Sequence, residues 1–253
     1  MTANSYTNES EDSVERKSGV ESRVGSGPDA KIIDGVKLFR IKNWNRALKE
    51  FLSKDTTGFS VEEKMELAYY LGLCYAKLEK YDEALLHLEQ VVTSAGDILR
   101  VFQCRMTLAY IYIITKRVEM AEYELERLRD TGLESPLIYN TLAYAAWIQK
   151  QEKNAVELYE KTLEIDSNNA TAMNSMGFIL ADTGLDIMRA LRLCRKAVDS
   201  RPDNAAYLDS LGWAYFKSGE FLEARTWLRR ALELSPNEKE IQKHFKIASG
   251  ESR

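Results

Sequence analysis

Few side chains in this sequence have the type and spacing that catalysis or metal binding requires. The 253 residues contain two histidines, His87 and His244, which do not form a His-x-x-x-His pair. No Cys-x-x-Cys pair, G-x-x-x-x-G-K-[ST] phosphate loop or G-x-G-x-x-G segment occurs. We therefore expect no enzyme activity, no metal site and no cofactor. His87 is expected on the outer surface of a helix, and His244 on a helix near the end of the chain.

The charged residues are mixed in sign and nearly balanced. Carboxylate pairs such as Glu62 with Glu63 and Glu122 with Glu124 lie among lysines and arginines, which predicts solvated helix faces with i,i+4 ion pairs. Lys plus Arg is 35 and Asp plus Glu is 39, so the net charge is −4. This balance argues against a nucleic-acid binder and against a polybasic membrane-surface protein, since both need a basic surface.

The cysteines and the start of the chain bear on the compartment. Three scattered cysteines are too few for a disulfide framework and are typical of buried residues in a reducing compartment. No basic stretch followed by an apolar one is visible, and no apolar run approaches the ~18 residues of a membrane span. We expect a cytoplasmic protein, or a periplasmic, lipid-anchored one if the native N-terminus was removed. The cysteines are Cys74, Cys104 and Cys194.

The composition changes near residue 28. Residues 1–27 are rich in Ser, Asn, Glu and Gly and nearly lack apolar residues, so we expect a disordered tail. From residue 28 onward the sequence repeats. Two segments, Met65 to Val92 and Ala206 to Pro236, share Leu-Gly, a Tyr three residues later, an aromatic six further on, then Ala and Leu. The shared residues are Leu71, Gly72, Tyr75, Tyr81, Ala84 and Leu88 in one segment, and Leu211, Gly212, Tyr215, Phe221, Ala224 and Leu228 in the other.

This pattern resembles the tetratricopeptide repeat, a helix-turn-helix unit of 34 residues. The resemblance implies an all-α protein, a right-handed α-solenoid of stacked antiparallel helix pairs. Small residues at matching places in both helices of a unit, such as Gly212 and Ala224, indicate close packing of the pair. Two stretches, Lys54 to Glu62 and Thr93 to Asp97, hold extra residues and are expected to be longer loops. Residues 28–236 divide into six units that start near Pro28, Met65, Phe102, Pro136, Ala170 and Ala205.

The end of the array needs a cover for the apolar face of its last unit. Residues 237–253 are expected to form a capping helix and a tail. Asn237 and Glu240 have the spacing of a capping box at its start. Ile241, Phe245 and Ile247 are then expected to cover the sixth unit.

In tetratricopeptide repeats the first helices line a concave surface, and the resemblance therefore implies which residues face a partner. The surface is aromatic and apolar, with a polar ladder of Asn140, Asn174 and Asp209. Exposed apolar patches mark interaction surfaces. The sequence predicts a protein–protein interaction scaffold whose groove holds a partner segment, with Asn140 and Asn174 gripping its backbone. The predicted contact residues are Tyr69, Leu73, Met106, Tyr110, Ile113, Asn140, Tyr144, Trp147, Asn174, Phe178, Asp209, Trp213 and Phe216.

Other uses of the same surface stay open. Superhelical curvature and packing, or the N-terminal tail, could cover these aromatic residues. A structural homo-oligomer could bury the groove against a second copy. RNA binding is opposed by the acidic balance. The fifth positions of the units carry no Lys or Arg, so a clamp for acidic C-terminal tails is not predicted.

Overall fold

The computed structural model describes residues 31–94 and 97–250, so the predicted tail, Pro28 and the last three residues lie outside the described part. Over the described residues the chain forms thirteen helices and no strand. These helices belong to two compact units, and the boundary along the chain falls between Leu133 and Glu134. The N-terminal unit holds α1 (Ile33–Arg40), α2 (Trp44–Leu52), α3 (Val61–Lys77), α4 (Tyr81–Thr93), α5 (Ile98–Ile114) and α6 (Val118–Arg129). The C-terminal unit holds α7 (Pro136–Ile148), α8 (Glu152–Ile165), α9 (Ala170–Thr183), α10 (Ile187–Ser200), α11 (Ala205–Ser218), α12 (Phe221–Leu234) and α13 (Lys239–Ser249).

Within each unit, sequence neighbours pack as helix pairs. In the N-terminal unit the pairs are α1 with α2, α3 with α4 and α5 with α6, and α3 also contacts α5. In the C-terminal unit the pairs are α7 with α8, α9 with α10 and α11 with α12, and α13 packs on α11 and α12. Each unit is therefore a stack of helical hairpins, which confirms the all-α solenoid architecture.

Glycines in the first helices allow close packing, as the pairs α3–α4 and α11–α12 show. A Cβ atom placed on Gly212 of α11 would lie 2.6 Å from Cγ of Leu228 on α12. A Cβ on Gly72 of α3 would lie 2.7 Å from the Leu88 side chain on α4. Carbon atoms cannot approach so closely, so these glycines let the buried leucines reach the first helix. The prediction of close packing at small residues is confirmed.

The first predicted longer loop is present, since residues 53–60 separate α2 from α3, whereas only residues 166–169 separate α8 from α9. The second is not longer, since only residues 94–97 separate α4 from α5. In both places extra residues also extend the helix that follows. α3 and α5 have 17 residues each, whereas α9 and α11 have 14. The side chain of Ser60 accepts a hydrogen bond from the Glu63 backbone, and that of Asp97 accepts one from Leu99. These N-caps start both helices one turn earlier than the repeat period indicates.

The last helix begins differently from the prediction. Its N-cap residue is Glu238, which makes no side-chain capping hydrogen bond. The predicted capping box of Asn237 and Glu240 is therefore wrong, because α13 starts at Lys239 and leaves Asn237 outside the cap. Ile241 and Ala248 are buried, and Phe245 packs against the core of the C-terminal unit.

Three of the predicted unit starts are the first residue of a helix, and two others lie inside a helix. Pro136, Ala170 and Ala205 are the first residues of α7, α9 and α11. Met65 and Phe102 lie inside α3 and α5. The division of residues 28–236 into six repeats stays a prediction.

Candidate functional site

Three aromatic residues occupy the same register position on successive first helices of the C-terminal unit. Tyr144 lies on α7, Phe178 on α9 and Trp213 on α11. Together with Trp147 they line one cavity of about 510 Å³. The structure thus brings four predicted groove residues into one place. The remaining lining residues are Ile148, Asp182, Glu240, Lys243, His244 and Ile247.

The rings of this cavity are packed against one another. The Trp147 and Phe178 ring centroids lie 6.1 Å apart at an interplanar angle of 88°, an edge-to-face contact. Phe216 stacks on Trp213 at 5.1 Å. Phe178 and Trp213 are each 7% exposed, whereas Tyr144 and Trp147 are only partly buried. The two aromatic side chains that remain accessible are therefore on α7.

His244 of α13 covers the far end of the cavity. Its Nδ1 lies 3.0 and 2.9 Å from the two carboxylate oxygens of Asp209 on α11. Its ring stacks on Trp213, with centroids 4.3 Å apart. Because a carboxylate accepts hydrogen bonds, the geometry assigns a proton to Nδ1. Asp209 and Trp213, both predicted partner contacts, thus have an intramolecular partner.

A second carboxylate lies at the cavity wall. Asp182, at the end of α9, accepts a hydrogen bond through Oδ1 from Nε1 of Trp213 at 3.0 Å. Lys217 donates to the backbone oxygen of Asp182 at 2.9 Å and lies 3.5 Å from Oδ1. The Asp182 side chain is 36% exposed, and no described residue donates to its Oδ2. Asp182 lines the cavity, and one of its carboxylate oxygens is therefore open to a further donor.

The two predicted ladder asparagines lie between helices. Asn140 is 6% exposed and Asn174 is 3% exposed. Nδ2 of Asn140 donates to Oδ1 of Asn169, the N-cap residue of α9, at 3.2 Å. The Oδ1 atoms of both asparagines are buried, and no described group donates to them. Asn140 thus braces the start of the next first helix, and both oxygens are out of reach of a partner in this conformation.

The predicted contact residues of the N-terminal unit are partly buried or buried. Tyr69 is buried, and its hydroxyl donates to Oε1 of Gln103. Burial raises the pKa of Tyr69. Ile113 is 5% exposed and belongs to the interior. The three predicted contact residues that keep partial exposure are Leu73, Met106 and Tyr110.

The side chains with reactive groups show no catalytic arrangement. All three cysteines are free and buried, and burial raises the pKa of each thiol to about 12, so they stay protonated near pH 7. Among residues 31–94 and 97–250, no three His, Cys, Asp or Glu side chains are placed to hold a metal ion.

Two expectations about charged and aromatic residues are wrong. Glu124 is buried and paired with Arg105 rather than solvated, because α5 packs over it. Burial raises the pKa of Glu124, although Arg105 opposes the rise. His87 is partly buried and stacks on Tyr75 at 5.6 Å instead of lying on an open surface. Burial lowers its pKa.

His244 is one of the cavity residues that the sequence reasoning missed, and Asp182 is another. The signal was present, because His244 follows Ile241 by three residues and precedes Ala248 by four, which places it on the buried stripe of α13. Its charge partner lies in another helix and cannot be found from local spacing.

None of the helices described between residues 31 and 250 combines the length and the hydropathy that crossing a membrane requires.

Three segments of the chain match models of a repeat family. Residues 66–97, 137–169 and 205–238 each match a model described as "Tetratricopeptide repeat". A TPR repeat-containing protein of Pseudomonas aeruginosa is 33% identical over 108 residues, 41% of this chain and 18% of that protein. A human protein O-mannosyl-transferase is 22% identical over 213 residues, 83% of this chain and 23% of that protein. The chain thus spans about a fifth of the length of these relatives.

Solved structures show the same fold. The crystal structure of the Cut9–Hcn1 hetero-tetramer of the APC/C aligns with a TM-score of 0.69 at 17% identity, covering 97% of this chain and 46% of that one. The crystal structure of MamA aligns with a TM-score of 0.55 at 18% identity, covering 69% and 93%. At these identities the likeness concerns the fold alone.

Proposed function

Because the chain is a tetratricopeptide repeat protein, we propose that it is a non-enzymatic scaffold that holds a segment of a partner protein. The tetratricopeptide repeat is generally a protein–protein interaction module. The observation that carries the proposal is the cavity of about 510 Å³ whose walls are Tyr144, Trp147, Phe178 and Trp213. Large aromatic side chains are the common anchors of protein interfaces.

The proposal gives these residues different roles. Tyr144 and Trp147 make the direct contacts, because they keep exposed surface. Phe178 supports Trp147 through its edge-to-face contact. The roles predicted for Asn140 and Asn174 require movement, because their oxygens are buried. Asp209, Trp213 and Phe216 contribute to the end of the groove, where His244 covers two of them.

In the N-terminal unit, the proposal extends to Leu73, Met106 and Tyr110, which are partly exposed. Tyr69 and Ile113 are buried, so they support that surface rather than contact a partner directly.

Photo-crosslinking tests the groove. Benzoylphenylalanine at Tyr144 is expected to capture a partner from native extract, since this side chain lines the cavity. The control places the same group at Tyr123, which is 55% exposed on α6. Mass spectrometry identifies the captured protein, and a synthetic segment of it is then titrated against the pure chain by calorimetry. Trp147→Ala is expected to weaken that binding at least about tenfold, a typical loss for an aromatic anchor.

Three outcomes separate the candidates. Crosslinks at Tyr144 that Trp147→Ala abolishes, with circular dichroism unchanged, support a partner groove. Crosslinks of the chain to itself favour the homo-oligomer. Equal capture at Tyr144 and Tyr123 contradicts the proposal.

We also propose the cytoplasm as the compartment, supported by three cysteines that are all free. The partition into a tail over residues 1–27, six repeats over 28–236 and a capping segment over 237–253 belongs to the same proposal. It is supported by the three repeat matches and by the packing of α13 on α11 and α12.

A further inference from the structure

We propose that the cavity of the C-terminal unit takes an arginine side chain of the bound segment. This inference rests on the proposed function, because it names the chemistry of the partner at the same site. It follows from two features that share one cavity, aromatic walls and a carboxylate with an open oxygen.

The aromatic walls suit a cation. A guanidinium group is attracted to the face of an aromatic ring, most strongly to that of tryptophan. Trp147 and Tyr144 line the cavity with partly exposed side chains, while Phe178 and Trp213 line it with buried ones. A purely apolar ligand would use the same walls but would leave Oδ2 of the adjoining Asp182 carboxylate without a donor.

The carboxylate of Asp182 supplies the counter-charge. Its Oδ1 is engaged by Trp213, which fixes the orientation of the group, and its Oδ2 has no described donor. An arginine can donate to this oxygen while its plane lies against a ring. Lysine forms only a point contact, and its ammonium is more strongly hydrated, so we expect arginine to bind better.

Charged side chains of both signs lie around the cavity among the described residues. Asp182 and Glu240 are acidic, while Lys243 at the rim is basic. Lys217 pairs with Asp182, chiefly through the backbone oxygen, and the Asp209 carboxylate faces His244 rather than the cavity. Lys243 therefore repels a bound cation, whereas Asp182 attracts it. Neutralising these two residues is expected to change the affinity for arginine in opposite directions.

The chain itself places a cation beside this aromatic and carboxylate pair. Nζ of Lys217 lies 5.2 Å from the centroid of the Trp213 ring and 3.5 Å from Oδ1 of Asp182. The ring and the carboxylate thus already accommodate positive charge. The proposed arginine uses the same chemistry on the open side, through Trp147 and Oδ2.

The test uses the full chain and three small probes. N-acetyl-arginine methylamide, its norleucine analogue and its glutamate analogue are titrated while the indole N–H signals of the four tryptophans are followed by NMR. Arginine is expected to shift the signals of Trp147 and Trp213 with an apparent Kd about fivefold lower than that of norleucine. Glutamate is expected to bind most weakly. Trp44 and Trp227 lie outside the cavity and are internal controls.

Two variants assign the charge effect. Asp182→Asn keeps an oxygen that accepts from Trp213 but removes the charge, so the preference for arginine over norleucine is expected to fall to about onefold. Asp199→Asn, an exposed position on α10, makes the same charge change elsewhere and is expected to preserve the preference. Lys243→Gln is expected to strengthen arginine binding.

The inference is overturned if norleucine binds as well as arginine, if no probe shifts Trp147 or Trp213, or if Asp182→Asn and Asp199→Asn behave alike. These failures differ from a failure of the scaffold. A partner that crosslinks at Tyr144 and depends on Trp147, but tolerates replacement of its arginines, keeps the proposed function and removes the arginine site. Equal capture at Tyr144 and Tyr123 removes the groove itself.

Discussion

The inner polar residues of the N-terminal unit form internal pairs, whereas those of the C-terminal unit are only partly paired. In the N-terminal unit, Tyr69 donates to Gln103, and Arg100 donates to the buried Glu66 at 2.9 Å. In the C-terminal unit, Asn140 and Asn174 each keep an oxygen to which no described group donates. Buried polar groups normally find partners, because leaving one unpaired costs about 1–3 kcal/mol. The inner polar groups of the N-terminal unit thus mainly support its fold, whereas the C-terminal unit tolerates two buried oxygens without a described donor.

The buried ion pair of the N-terminal unit is expected to give the largest effect. Arg105→Met leaves the buried Glu124 without its ion-pair partner, and the free energy of unfolding near pH 7 should fall by about 3 kcal/mol. The measurement is urea unfolding followed by circular dichroism. Lys116→Met, at an exposed residue after α5, is the matched control and should change stability little. An equal loss in both variants would contradict the role of the pair.

The same variant has a predicted pH dependence. Burial raises the pKa of Glu124 in the folded chain above the reference value of 4.5, and removing Arg105 raises it further. At pH values between the reference value of 4.5 and the raised pKa of Glu124, the folded variant then binds more protons than the unfolded chain. Stability of Arg105→Met relative to the parent should therefore recover as the pH falls through this window toward 4.5. A deficit that grows on acidification would contradict this sign.

The glycine contacts are expected to give the next largest effect, in both units. Gly72→Ala and Gly212→Ala each place a Cβ atom against a buried leucine and should destabilise the chain by about 1–3 kcal/mol. Gly58→Ala is the control, since nothing lies within 4 Å of its Cβ position. Urea unfolding of the three variants checks the prediction. A neutral result at Gly212 would show that the α11–α12 pair can spread without cost.

The next prediction concerns the contacts of His244 with Asp209 and Trp213 in the C-terminal unit. His244→Ala removes the donor to Asp209 and the ring on Trp213, so α13 should be held less firmly, at a cost of about 1–2 kcal/mol. Acrylamide quenching of tryptophan fluorescence should increase because Trp213 becomes more accessible. Lys246→Ala, exposed on the same helix, should change neither quantity. Unchanged quenching in His244→Ala would mean that α13 stays in place without this contact.

The smallest effects compare one polar residue from each unit. Tyr69→Phe loses the hydrogen bond to Gln103 and should cost about 1 kcal/mol. Asn174→Leu removes an oxygen that has no described donor and should be neutral or slightly stabilising. Thermal unfolding of both variants measures the difference. Destabilisation of Asn174→Leu beyond that of Tyr69→Phe would show that the amide has a partner in solution.

Much of the C-terminal unit could be predicted from repeated residues. The positions of Gly212 and Ala224 predict close helix pairs, and the 34-residue period places Tyr144 and Phe178 on equivalent faces. Both side chains line the cavity. These predictions succeed because they depend on helical periodicity and on side-chain size, which are local properties.

The charged residues could not be predicted in the same way. The charged residues around Glu124 predict a surface carboxylate, yet α5 places Arg105 against it. Asn237 has the spacing of a cap, yet α13 begins at Lys239. Whether a polar side chain is solvated, paired or left alone depends on residues from other helices, and sequence spacing does not report them.

The amino-acid sequence alone determined that the chain is a helical repeat, because apolar periodicity and small residues at matching places dictate helix pairs. It also determined which aromatic side chains share a face. Only the tertiary structure decided how open that face is. Asp209 and Trp213 are covered by His244 of α13, and Asp182 is oriented by Trp213, because packing brings together groups from helices that lie tens of residues apart.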